Sequence, residues 1–126
     1  MRNISITFLF LFSLCIFSSC GKDKTPPEIR ITSPTQNQQL NSGVNLQLMG
    51  KISDLSQITE VNGLVLNLTT NEEIFSFKKN PNTANFEFSE VVSITVSSFY
   101  NFEFRLSAKD EQGNESKIIV PFSVKP

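Results

Sequence analysis

Tyr100-Asn101-Phe102-Glu103-Phe104-Arg105-Leu106-Ser107-Ala108-Lys109 alternates apolar and polar residues over ten positions without a break. Successive side chains of a strand point to opposite faces, so Tyr100, Phe102, Phe104, Leu106 and Ala108 share one face. A helix would scatter the same five residues around its surface. One apolar and one polar face is the mark of a strand between a core and solvent, as antiparallel sheets arrange it.

The same period runs outward in both directions. Asp110-Glu111-Gln112-Gly113-Asn114 is a tight turn in which Gly113 supplies a positive φ, and Ile118, Val120, Phe122 and Val124 then face inward. Pro121 lacks a ladder donor and predicts an edge strand or a bulge there. Upstream, Phe86, Phe88, Val92, Ile94 and Val96 share parity, with Glu90 the exception. Residues 79–85 predict a loop, and residues 73–78 a strand with Phe75 and Phe77 inward. Residues 44–53 alternate with Val44, Leu46, Leu48, Gly50 and Ile52 on one face, and Asp54-Leu55-Ser56 is expected to turn the chain. Ile29 and Ile31 mark a first strand closed by Ser33-Pro34, followed by a polar connection over residues 35–43.

Residues 58–68 read two ways. Asn62-Gly63 between apolar residues is a strong hairpin signal, but it also suits a bulge within one strand that resets the facing of Val61 against Ile58, Leu64, Leu66 and Leu68. The bulged strand is favoured, because a four-residue arm is short. No segment carries a helical period. The expectation is an all-β, seven-stranded antiparallel sandwich over residues 28–126.

The amino terminus follows a different rule. Met1-Arg2-Asn3 is positive, and residues 4–17 are almost wholly apolar. Fourteen residues rising about 1.5 Å each span roughly 21 Å, short of a hydrocarbon core of about 30 Å. This is the layout of a secretory signal peptide over residues 1–19. Residues 20–27 read as a polar tether ending in a proline pair, which reaches roughly 23 Å over its last seven residues at about 3.3 Å each.

Composition excludes much. The chain has 11 Lys plus Arg against 12 Asp plus Glu, so it carries no basic footprint for nucleic acid. His and Trp are absent, and there is one Tyr beside 12 Phe, a set that fills a core rather than stacking on a sugar. Without His the common nucleophile and base pairs are missing, so no enzyme is expected.

Residues 27–34, the strand start Gly43-Val44-Asn45-Leu46 and the closing Ala108-Lys109-Asp110-Glu111-Gln112-Gly113-Asn114-Glu115-Ser116 resemble bacterial immunoglobulin-like domains of the fibronectin type III or cadherin-like kind. The resemblance implies an immunoglobulin-like sandwich and is silent on function. In fibronectin type III domains a Tyr usually stands six residues before the Ala of the sixth strand; Phe102 stands there, with Tyr100 two residues earlier. By analogy the chain start lies at the same pole as residues 54–56, 79–85 and 110–114. Phe17, Ser18 and Ser19 before Cys20 resemble the bacterial lipobox, with Phe17 where Leu is usual. This implies a signal peptidase site at those three residues and lipidation of Cys20. The only other cysteine, Cys15, lies inside the segment to be removed. The whole is similar to small single-domain Gram-negative lipoproteins, a group of unassigned function.

Asp54, Asp110 and Glu111 are the loop carboxylates that a Ca²⁺ ion would use at one pole. The reading preferred to it has Asp110 and Asn114 shaping their own turn, so no metal and no cofactor are expected. Asn67-Leu68-Thr69 and Asn114-Glu115-Ser116 match the glycosylation sequon by chance. The expected function is a non-catalytic, lipid-anchored interaction or structural module of the cell envelope, in the outer membrane. Its partners would be the membrane through Cys20 and an envelope protein. The alternative is a binder of glycan or calcium on the same scaffold.

Overall fold

The computed structural model of the chain describes residues 21–126. The signal segment, Phe17, Ser18, Ser19 and Cys20 lie outside the described residues. Seven strands follow one another: β1 (Glu28–Ser33), β2 (Gln38–Asn41), β3 (Asn45–Asn67), β4 (Glu72–Lys79), β5 (Thr83–Ser93), β6 (Tyr100–Asp110) and β7 (Glu115–Lys125). There is no helix among the described residues.

The number of strands agrees with the sequence reading, but the division differs. The turn expected at Asp54-Leu55-Ser56 is not a break, for β3 runs on through 23 residues. Straight, such a strand would reach roughly 75 Å at about 3.3 Å per residue, far beyond a domain of this size. It therefore passes from one layer to the other. Its first half pairs with β1 (Ile29↔Ile52) and β5 (Leu48↔Glu90), and its second half with β4 (Gly63↔Phe77) and β6 (Val65↔Phe104). The β1 ladder ends at Ser53, and the next rung to β5 is Ile58↔Thr83. Residues 54–57 thus form the bridge between layers. The seventh strand is β2, inside the connection expected to be irregular.

β2 also corrects the antiparallel expectation. It pairs with β7 in parallel, from Gln38↔Phe122 to Asn41↔Lys125, so the sheet is mixed. Pro121 lies one residue before that ladder begins, and its carbonyl accepts the amide of Asn37 (2.7 Å). Elsewhere, β5 starts at Thr83 and shortens the expected loop, while Val44, expected inward, is 46% exposed.

Residues 58–68 form one strand, as favoured, but with its irregularity elsewhere. Asn62 and Gly63 pair without interruption to Lys78 and Phe77 on one side and to Ser107 and Leu106 on the other. The shift against β6 falls between Ile58 and Glu60, leaving Thr59 as the extra residue. Val61, Gly63, Val65 and Asn67 consequently face inward with Ile58, whereas Leu64 and Leu66 lie half-buried on the outer face and Leu68 is exposed. Gly63 serves packing rather than turning. A Cβ there would run into the ring of Phe77.

The core lies between the layers. Phe88 of β5 faces Phe77 of β4 and Phe104 of β6, with ring centroids 5.8 and 6.1 Å apart. Phe102, at the position where the resemblance expects a tyrosine, is buried and stacks on Phe122 at 5.3 Å. Glu90, the inward exception of β5, has its partner across the seam: Lys79 Nζ of β4 lies 3.0 Å from its carboxylate.

Candidate functional site

Three segments meet at one end of the sandwich: the bridge 54–57, the β6–β7 turn and the amino-terminal tether. The turn is built by Asp110, whose Oδ1 accepts the amides of Gln112 (2.8 Å) and Asn114 (2.9 Å) while Gly113 takes φ 85°. Asn114 donates through Nδ2 both to Asp110 Oδ2 (2.9 Å) and to the carbonyl of Asp23 (3.0 Å). The tether is therefore fastened to the domain. Asp23 Oδ2 also accepts from the Ser56 hydroxyl (2.6 Å), and the carbonyl of the buried Pro27 accepts from the Ser116 hydroxyl.

Asp54 opens the bridge. Its Oδ1 accepts the amide of Leu55 (2.7 Å), whereas its Oδ2 is buried without any hydrogen-bond partner. Carboxylate oxygens of Asp23, Asp54 and Asp110 lie within 4.8 Å of one another. Two unit negative charges that close repel by about 3 kcal/mol at an effective dielectric near 20. Burial and the neighbouring Asp110 push the Asp54 carboxyl above the usual range, although the Ser56 and Leu55 amides oppose this. Burial pushes Asp110 upward too, but hydrogen bonds from Asn114, Asp54 and Gln112 hold it below. Chemically the cluster can hold a proton or a hard cation; it offers no activated nucleophile.

The sequence singled out Asp54, Asp110 and Glu111. The first two meet, but Glu111 is exposed and outside the cluster, engaged only through its amide to the Gln57 carbonyl (2.9 Å). Asp23 takes its place. Read as tether, Asp23 carried no sequence signal of its own; its role depends on the chain folding back over the turn. Asn82 of the 79–85 segment also reaches this end, through its amide to the Ile58 carbonyl (2.8 Å). Asn67, noted as a sequon, is buried, and its Oδ1 accepts the amides of Thr69 (2.9 Å) and Thr70 (3.2 Å) to shape the β3–β4 turn.

No family model and no curated protein matches the chain. Among solved structures, the chain is similar to the fibronectin(III)-like modules of CbhA from Clostridium thermocellum, with TM-score 0.52 and 16% identity over 78% of this chain and 96% of that one. At that identity the likeness concerns the fold alone: an all-β sandwich of the immunoglobulin-like, fibronectin type III kind.

Proposed function

We propose that the chain is a lipid-anchored, non-catalytic module of the bacterial envelope. In this reading Cys20 is the acylated first residue, and the domain acts in the outer membrane by contact with another envelope protein. The observation that carries it is the fastening of the tether. Asp23 bonds to Ser56 and Asn114, and Pro27 to Ser116, so only residues 20–22 separate the proposed anchor from the fixed part of the chain. A domain held in this way presents its opposite end outward.

That far end carries exposed Val44, Leu68 and Phe99, apolar side chains at loop positions that suit contact with a protein. Phe99 is the one exposed phenylalanine among the described residues, so an aromatic platform for a glycan is not favoured. The chemistry of the polar end, carboxylates without a nucleophile, agrees with a role other than catalysis.

Replacing Cys20 by Ser tests the anchor. The variant is expected in the soluble fraction with an unchanged melting temperature; retention in the membrane fraction would refute the reading.

A further inference from the structure

We propose that Leu55, in the bridge between the layers, dips into the phospholipid surface beside the acylated amino terminus, so that the bilayer is the partner of this end of the domain. The inference rests on the lipid-anchored reading above and adds the side chain that makes the contact. Single apolar residues are common on protein surfaces. Place and presentation set Leu55 apart.

It is 89% exposed, the most open of the large apolar side chains among the described residues. Yet its backbone is held: Asp54 Oδ1 accepts the amides of Leu55 (2.7 Å) and Ser56 (3.4 Å), and the Ser56 hydroxyl donates to Asp23 Oδ2 (2.6 Å). The side chain shares a shallow hollow with Thr25 and Pro26 of the tether, both exposed. A leucine pointed at water gains nothing for the core. Beside acyl chains it leaves water, and the gain scales with its apolar area.

The length of chain ahead of the domain brings that surface within reach. Consecutive Cα atoms lie about 3.8 Å apart, so the Cα of Asp23 stands at most about 11 Å from that of Cys20. Asp23 is bonded in turn to the residue after Leu55. The headgroup layer is roughly 5–8 Å deep on each side of the hydrocarbon core, and interfacial segments bury their apolar face about 5–10 Å into it. An acylated Cys20 at that boundary leaves the bridge against the lipid. Charge is sorted to match. In Lys22-Asp23-Lys24 the two lysines are exposed, while Asp23 is half-buried and turned onto Ser56. Asp110 is buried in its turn, and Glu28 is answered by Arg30 at 2.8 Å. The cations nearest the anchor thus face anionic headgroups, which strengthen interfacial contact.

The chain contains no Trp, so a single one can serve as a reporter. The test uses the acylated protein, purified from membranes and reconstituted in vesicles of phosphatidylethanolamine and phosphatidylglycerol, with and without brominated acyl chains. Leu55→Trp is expected to lose emission to the brominated lipid and to shift to the blue, whereas Phe99→Trp at the far end should do neither. Because Trp itself favours interfaces, a second pair places the reporter at the neighbouring exposed position, Gln57→Trp, with and without Leu55→Ser. Loss of the leucine should lower the ratio of docked to undocked molecules about tenfold, read as lost quenching at an unchanged melting temperature. Vesicle flotation separates this contact from the anchor. Protein that does not float with the vesicles would overturn both. Protein that floats, with Leu55→Trp quenched no more than Phe99→Trp, would overturn the contact and leave the anchor standing. Equal quenching of Gln57→Trp with Leu55 and with Leu55→Ser would do the same. Shielding of Leu55→Trp from acrylamide in native membranes but not in vesicles would overturn the lipid assignment in favour of a protein.

Discussion

The two halves of β3 are one strand, yet they encode themselves differently. Residues 45–53 alternate cleanly: Leu46, Leu48 and Ile52 are buried, and Gln47, Met49 and Lys51 face solvent. Residues 58–67 put a valine or glycine inward and a leucine outward, so the larger apolar residues sit on the side with less to cover them. Neighbours explain the inversion. The inward positions of the second half are crowded by Phe77 and Phe104, which leave room for Val65 and for no side chain at Gly63. Outside, Leu64 lies beside the long side chain of Arg105, its rung partner on β6, whose aliphatic stem can shield it. Hydrophobicity alone does not decide facing when volume is already taken from the other strand.

This contrast can be broken at three levels. Truncating an anchor in either half, Leu48→Ala or Ile58→Ala, should cost about 2–5 kcal/mol each in urea unfolding, since both are fully buried. A much smaller cost for Ile58→Ala would mean that the second half does not share the core. Gly63→Ala should cost about 1–3 kcal/mol through overpacking. Combining it with Phe77→Leu should recover at least about 0.5 kcal/mol in a double-mutant cycle; strict additivity would show that the ring is not what the methyl meets. The smallest effect concerns facing. Leu64→Thr should cost under about 1 kcal/mol, while Val65→Thr next to it should cost about 1–3 kcal/mol by burying a hydroxyl. Reversal of that order would restore the leucine-inward reading.

Much of the fold was legible because six ranges alternate with period two, and β6 most cleanly. Three features were not. The bridge at Asp54 reads as a turn, because a polar residue next to an exposed leucine looks the same whether a chain reverses or changes layer. β2 is four polar-flanked residues whose pairing with β7 is set by a partner more than eighty positions away. Asn62-Gly63 resembles a hairpin because glycine signals both a positive φ and a missing side chain, and here the second applies: Gly63 is absent from the positive-φ residues. At the site, Asp54 and Asp110 were legible as loop carboxylates of one pole. Asp23 was not, since nothing local to a tether tells which surface it will lie against.

The ion pair between Glu90 and Lys79 bears on how copies of the domain avoid one another. β4 and β5 are the outer strands of their layers on one side of the sandwich, and their unpaired backbone groups are templates for a strand from a neighbour. An inward charge on β5, answered across the seam from β4, makes that flank poor ground for edge-to-edge growth, because an added strand would have to desolvate or separate the pair. Molecules crowded onto a two-dimensional surface meet far more often than molecules in bulk. For a domain anchored as proposed, a seam closed by charge would disfavour edge pairing between neighbouring copies.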